Sequence, residues 1–275
     1  MPRLFRQVDV FTETPFLGNP VAVVLEADGL ADEQMQRVAR WTNLSETTFM
    51  LPPQDGGTDY RLRIFTPGRE LPFAGHPTLG SCHAWLEAGG RPQGDDVIIQ
   101  ECAAGLVRIR RAAGGLAFAA PPLIREGAVD DAVIARVVRS LNIARGDIVD
   151  IAWADNGPGW VAVLLPSAEA VLAVRPGTVE LNVGIAGPYS PGSPQALEVR
   201  AFSSSLSGRE DPVTGSLNAA LGQWLLGSGR LTAPYVASQG TALGRRGRVH
   251  VSQDDDGQVW VGGGTVTCVT GSVAL

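Results

Sequence analysis

The chain has 275 residues, enough for one large domain or two of ordinary size, and a formal net charge of −6 with no basic run beyond Arg245-Arg246-Gly247-Arg248, which argues against nucleic acid as a partner. All 22 basic residues are arginine, and without a lysine the chain cannot form a pyridoxal-phosphate Schiff base, offer an amine nucleophile or build a lysine-type phosphate loop. No apolar run approaches membrane-spanning length, the amino-terminal stretch is too polar for a signal-peptide core, and three scattered cysteines (Cys82, Cys102, Cys268) fit reduced thiols, so a cytoplasmic protein is expected.

In chain order, Val8 to Phe11 and Pro20 to Leu25 read as a hairpin about the turn Gly18-Asn19-Pro20. Asp32 to Trp41 has an acidic first turn and apolar residues at helical spacing. Ser45 to Leu51 opens polar and turns β-prone, a strand with Glu46 at its mouth. Tyr60 to Phe65 alternates as a strand, and a Pro/Gly loop from Thr66 to Gly75 delivers the chain to His76. The segment from Pro77 to about Ala88 is apolar on most sides, the pattern of a buried helix, and stops at Gly89-Gly90. Val97 to Gln100, Leu106 to Arg110 and Leu116 to Ala120 read as strands before Pro121-Pro122, where a domain boundary is placed, giving domains 1–121 and 122–275, with the last strand able to pack back on the first domain.

The second half retells the first. Val129 to Leu141 is amphipathic, Ile148 to Ala152 and Val161 to Leu165 flank a turn, and Ser167 caps a short helix through Val174. Leu197 to Phe202 leads through the loop Ser203 to Gly208 to Asp211 and a second apolar helix ending at Gly227; Val249 to Val251, Val259 to Val261 and Val266 to Val269 close the chain as strands. Set one above the other, His76-Pro77-Thr78-Leu79-Gly80-Ser81 and Asp211-Pro212-Val213-Thr214-Gly215-Ser216 share the proline, glycine and serine at a spacing of 135 residues. That alignment makes each proline the first helical residue and His76 and Asp211 partners across a pseudo-twofold. The expectation is an α+β protein of two pseudo-symmetric domains, each a β-barrel-like sheet wrapped around a central apolar helix, with the active site in the cleft between them. Two helix starts facing that cleft would bind an anionic group, and a carboxylate beside them would serve as general acid/base.

The segments QVDVFTETPFLGNPVAVV, NLSETTFMLPP, ELPFAGHPTLGS and REDPVTGS resemble the phenazine-biosynthesis isomerase family, the PhzF-like proteins of the diaminopimelate-epimerase-like fold, over essentially the whole chain. The resemblance implies isomerisation of a small anionic substrate such as trans-2,3-dihydro-3-hydroxyanthranilate. Glu46 would take and return the proton, while His76, Asp211 and Ser216 bind substrate with help from amides near Gly75 and Gly215. It also implies a homodimer and no cofactor. Related epimerases use a thiol at each helix start, whereas these starts carry His76 and Asp211, so two-thiol racemisation is not expected. The alternatives are an epimerase or racemase acting on an amino-acid-type substrate and a non-catalytic binding protein that keeps the fold. His76, Cys82 and His83 match no standard ligand spacing, so no metal is expected; Asp254-Asp255-Asp256-Gly257 reads as a hairpin turn.

Overall fold

A computed structural model of the protein describes every residue except Met1, Asp95, Ala113, residues 204–207 and Arg209. Most of the expected Ser203-to-Gly208 loop therefore lies outside the described residues. The chain divides into two compact units, Met1–Ala119 with Gly262–Leu275, and Ala120–Val261. The protein is mixed α and β, with many strands and few helices.

In the first unit β1 (Pro2–Val10), β2 (Asn19–Val24), α1 (Asp32–Thr42), β3 (Glu46–Leu51), β4 (Tyr60–Phe65), the two-residue β5 (Glu70–Leu71), α2 (Gly75–Glu87), β6 (Val97–Cys102), β7 (Gly105–Ala112) and β8 (Gly115–Ala119) follow one another. Strands β1 and β2 are antiparallel, β2 and β3 parallel, β3 and β4 antiparallel, β4 and β6 parallel, and β6 and β7 antiparallel. Alternation along Tyr60-Arg61-Leu62-Arg63-Ile64 sends the tyrosine, leucine and isoleucine inward and leaves the arginines partly exposed. Helix α1 ends at Asn43, which adopts a left-handed cap that asparagine tolerates. Helix α2 has buried residues on most sides, as its predominantly small and apolar sequence allows. Gly80 lets it lie against β1 and β2, because a Cβ there would stand 2.4 Å from Val21 Cγ1.

The second unit contains β9 (Arg125–Gly127), α3 (Asp131–Leu141), β10 (Asp150–Asp155), β11 (Val161–Leu164), α4 (Ala168–Ala173), β12 (Val183–Pro188), β13 (Leu197–Phe202), β14 (Glu210–Asp211), α5 (Gly215–Gly227), β15 (Tyr235–Gln239) and β16 (Gly247–Gln253). Strand β17 (Val259–Gly263) leads out of it, and β18 (Thr265–Ala274) rejoins the first unit antiparallel to β1. Pairing repeats in sense and order: β10 and β11 antiparallel, β11 and β12 parallel, β12 and β13 antiparallel, β13 and β15 parallel, β15 and β16 antiparallel. Asp130 and Ser167 cap α3 and α4 by accepting from the Val133 and Ala170 amides. Asp254 to Gly257 form the turn between β16 and β17. Among the described residues no helix is long and apolar enough to cross a membrane.

The repeat corrects the register read from sequence. Helices α2 and α5 begin at Gly75 and Gly215, behind N-caps Ala74 and Thr214, a spacing of 140 residues and not 135. Thus His76 corresponds to Ser216, while Asp211 lies in β14 where β5 has Leu71, and the expected His76–Asp211 equivalence is withdrawn. Proline misled because its missing N–H is harmless anywhere in the first turn, so Pro77 sits two residues inside α2 and Pro212 stands before α5.

One side-chain pattern repeats as well. Arg63 forks onto Glu70 with both contacts at 2.7 Å, and Arg200 forks onto Glu210 at 3.0 and 2.8 Å; the two guanidiniums lie 5.2 and 5.0 Å from the Phe65 and Phe202 ring centroids. Arg63 also reaches Asp32 at the start of α1, and Arg200 reaches the Val171 and Val174 carbonyls at the end of α4. The second fork is nearly closed to solvent (side chains 6% and 8% exposed, against 17% and 36%). Glu210→Ala should therefore cost about 3 kcal/mol or more by stranding a buried guanidinium. Glu70→Ala should cost less than about 1 kcal/mol. Urea unfolding midpoints of both variants check this, and equal shifts would contradict it.

Candidate active site

In the first unit the parallel pairing Val21↔Glu46 sets Glu46 at the start of β3, beside the strand that begins Asn19-Pro20. Thr48, one pleat further on, holds β3 to α2 through a 2.8 Å hydroxyl contact with Ser81, both residues being fully buried. This pin brings the first turn of α2 under Glu46. Glu46 Oε2 and His76 Nε2 lie 3.3 Å apart, with side chains 13% and 5% exposed. On the far side of the ring, Asn19 Nδ2 is 3.4 Å from His76 Nδ1.

Burial pushes His76 down to about 3 from its ordinary 6.5, with the Pro20 carbonyl opposing the shift. The imidazole is thus neutral at physiological pH. Gly75 begins the helix, and the amides of that first turn have no acceptor within the helix, so Gly75 and His76 stand where a helix start favours negative charge.

The second unit assembles a different set. Asp211 Oδ2 accepts from the Thr214 hydroxyl at 2.5 Å. Gln239, fully buried at the end of β15, donates to the Asp211 carbonyl and to Thr214 Oγ1 and accepts from the Thr214 amide and Asn218 Nδ2. Ser216, second in α5 and partly exposed, accepts at Oγ from Trp160 Nε1 at 3.1 Å, and its carbonyl accepts from Asn156 Nδ2 at 2.9 Å. Gly215 opens the helix.

The structure thus brings Glu46, His76 and Gly75 together in one unit and Asp211, Gly215 and Ser216 together in the other. Sequence reasoning missed Asn19, Thr214, Gln239, Asn156 and Trp160. Asn19 carried a signal, since it sits in the turn Gly18-Asn19-Pro20 but is wholly buried, which a turn asparagine seldom is. Cys82 is buried and pushed up to about 12, chiefly by desolvation, so it is a poor nucleophile at neutral pH. His83 faces Thr265, Thr267 and Glu87 and ties α2 to β18. Among the described residues no group of three or more His, Cys, Asp or Glu side chains is placed to hold a metal ion.

The sequence profile of the phenazine biosynthesis-like protein family, PhzC-PhzF, matches residues 8–271. The chain belongs to the PhzF-like family. It is 37% identical to antisense-enhancing sequence 1 of Schizosaccharomyces pombe over 97% of each chain. It is 34% identical to trans-2,3-dihydro-3-hydroxyanthranilate isomerase of Pseudomonas fluorescens over 98% of each. A PhzF-family phenazine biosynthesis protein from Bacillus anthracis superposes with a TM-score of 0.83 over the full length of both chains at 24% identity, which shows the shared fold. With its PhzF-like relatives named as isomerases, the chain is an enzyme of the isomerase class.

The neutral, buried His76 ties stability to pH. Between pH 6.5 and about 3 the unfolded chain binds a proton on this ring and the native chain does not, so stability falls as pH falls through that window. His76→Asn should remove part of the slope, making stability less pH-dependent than in the wild type by up to about 1.4 kcal/mol per pH unit. Denaturant titrations from pH 6.5 to 4.5 measure it, and parallel profiles would show that His76 is not buried neutral.

Proposed function

We propose that the protein is a cofactor-independent isomerase that moves a proton on a small anionic substrate, with Glu46 as the general acid/base, and that its substrate is trans-2,3-dihydro-3-hydroxyanthranilate or a close analogue, as named for its Pseudomonas relatives. The observation that carries the reading is the Glu46–His76 pair, a carboxyl group in a nearly closed site, 3.3 Å from an imidazole that stays neutral. At Nε2 a neutral ring can donate to a carboxylate or accept from a carboxylic acid, so it accommodates Glu46 before and after the proton moves. Asp211 and Ser216 supply hydrogen-bonding partners to the substrate, and the starts of α2 and α5, at Gly75 and Gly215, offer amides to its carboxylate. Each unit is read as an epimerase-like domain in which sheet surrounds one apolar helix. The working form is read as a homodimer in the cytoplasm.

The test is proton NMR of trans-2,3-dihydro-3-hydroxyanthranilate with purified protein in deuterated buffer, wild type beside Glu46→Gln. The wild type should isomerise the substrate and exchange a carbon-bound proton. Glu46→Gln should remain folded and lose roughly 10²–10⁴-fold in kcat, the range attributable to a general acid/base. Undiminished turnover by the variant would remove Glu46 from the mechanism, and no reaction with the wild type would reject this substrate.

A further inference from the structure

We propose that Thr214 and Gln239 are positioning residues that fix Asp211 as a hydrogen-bond-accepting carboxylate, so that the second unit recognises a cationic or hydroxyl donor group on the substrate. This deepens the function proposed above and rests on Asp211 belonging to the substrate site.

The argument starts from a carboxamide whose orientation is forced. Gln239 Oε1 accepts from the Thr214 amide at 3.0 Å and from Asn218 Nδ2 at 2.8 Å, and Nε2 donates to the Asp211 carbonyl at 3.2 Å and to Thr214 Oγ1 at 3.0 Å. All four hydrogen-bonding positions of the amide are in use. Rotating it by half a turn would set Nε2 against a backbone N–H and Oε1 against a backbone carbonyl, and those roles are covalently fixed. Thr214 Oγ1 therefore receives a hydrogen from Gln239, and its own hydrogen points at Asp211 Oδ2. The 2.5 Å separation is that of an O–H···O⁻ bond. A hydrogen on Oδ2 would place two hydrogens in the same gap, so Oδ2 is the acceptor of this bond.

The surrounding backbone leaves no room for another arrangement. A Cβ at Gly247, which pairs with Gln239 across the ladder, would meet Val213 Cγ2 at 2.5 Å and the Gln239 carbonyl at 2.7 Å. Gly240 has φ +92°, and a Cβ there would stand 2.8 Å from the Pro212 carbonyl. The end of β15 is seated directly on the 211–214 turn.

A structural role common to the fold would recur in both units, and this network does not. At the equivalent positions the first unit has Ala74 in place of Thr214 and Leu71 in place of Asp211, yet α2 is as well buried as α5. What the second unit gains is an aspartate whose Oδ2 is oriented by the neutral Thr214 hydroxyl and whose backbone carbonyl is held by Gln239. Such a group attracts an ammonium or hydroxyl on a ligand and repels a carboxylate, which sorts the two ends of an amino-acid-like substrate.

The experiment uses the full-length protein and two readouts. In proton NMR in water, the Thr214 hydroxyl should give a slowly exchanging resonance far downfield that is lost in Thr214→Val and in Asp211→Asn. It should also move or vanish in Gln239→Glu, where a carboxylate oxygen replaces Nε2 and draws the Thr214 hydroxyl off Asp211. Absence of that resonance in the wild type, or its indifference to Gln239→Glu, overturns the relay. In turnover of trans-2,3-dihydro-3-hydroxyanthranilate, Thr214→Val and Gln239→Glu should raise KM about tenfold or more with a smaller change in kcat, while Thr214→Ser stays within about threefold of wild type. A lower melting temperature with unchanged KM would reduce Thr214 to a helix cap. Asp211→Asn with wild-type KM overturns the recognition even if the resonance is present; a wild type inert on this substrate but showing the resonance rejects the substrate and leaves the relay standing.

Discussion

The starts of α2 and α5 are each delivered by a two-residue strand that a single guanidinium clamps. Arg63 and Arg200 occupy the same position in their strands, two residues before a phenylalanine, and each forks onto the glutamate that faces that phenylalanine across the short hairpin. The planar fork sets angle as well as distance, which a lysine could not do, and a chain without lysine meets this need twice. In the second unit the clamp is adjacent to chemistry, because Glu210 is followed directly by Asp211. Release of Glu210 from Arg200 would let β14 swing, and the carboxylate next to it would lose its register against Thr214 and Gln239.

On this common plan the two units carry different groups. The parallel crossover pairs Val21 with Glu46 in one unit and Val161 with Val183 in the other, so an acid opens the strand only once. His76 and Ser216 stand at the same helical position, and one is a ring 5% exposed beside a carboxyl group while the other is a hydroxyl bonded to an indole. Duplication of a fold leaves each copy free to specialise. Here one copy sets a carboxyl group beside a neutral imidazole, and the other gathers Asp211, Thr214, Asn218 and Gln239 into one hydrogen-bonded set.

Much of this was legible in sequence wherever periodicity was strong. Strand β4 and strand β13 were bounded to the residue, helices α1 and α2 within two residues and α5 within three, because alternation and apolar runs report burial directly. Strands β9, β12 and β15 were not seen. Strand β12 is interrupted by Gly184 and Gly187, which admit Leu217 and the Ser167 backbone where side chains would clash, so close packing removed the very residues that mark a strand. Strand β15 ends in buried Ser238 and Gln239, and Gln239 is satisfied by partners more than twenty residues away in sequence. Missing β15 meant missing Gln239. The internal repeat singled out His76 and Asp211 and motif resemblance supplied the roles of Glu46, His76, Asp211 and Ser216, whereas the contact between Glu46 and His76 depends on β2, β3 and α2 packing together, which no local pattern encodes.

The value of keeping His76 neutral follows from electrostatics. An imidazolium 3.3 Å from Glu46 would form an ion pair, and in a site of low polarity that attraction would hold the carboxylate in its charged form and resist its protonation. Under the proposed mechanism, proton return from Glu46 would then be opposed. Burial removes that penalty by holding the ring at about 3, so across the physiological range the imidazole stays uncharged. Nε2 lies 3.3 Å from the Glu46 carboxyl group, and Asn19 stands at the opposite edge of the ring. Thr48 and Ser81, which hold β3 against α2, therefore matter to a pair they do not touch, since a small separation of the two elements would admit water and let the imidazole charge beside Glu46.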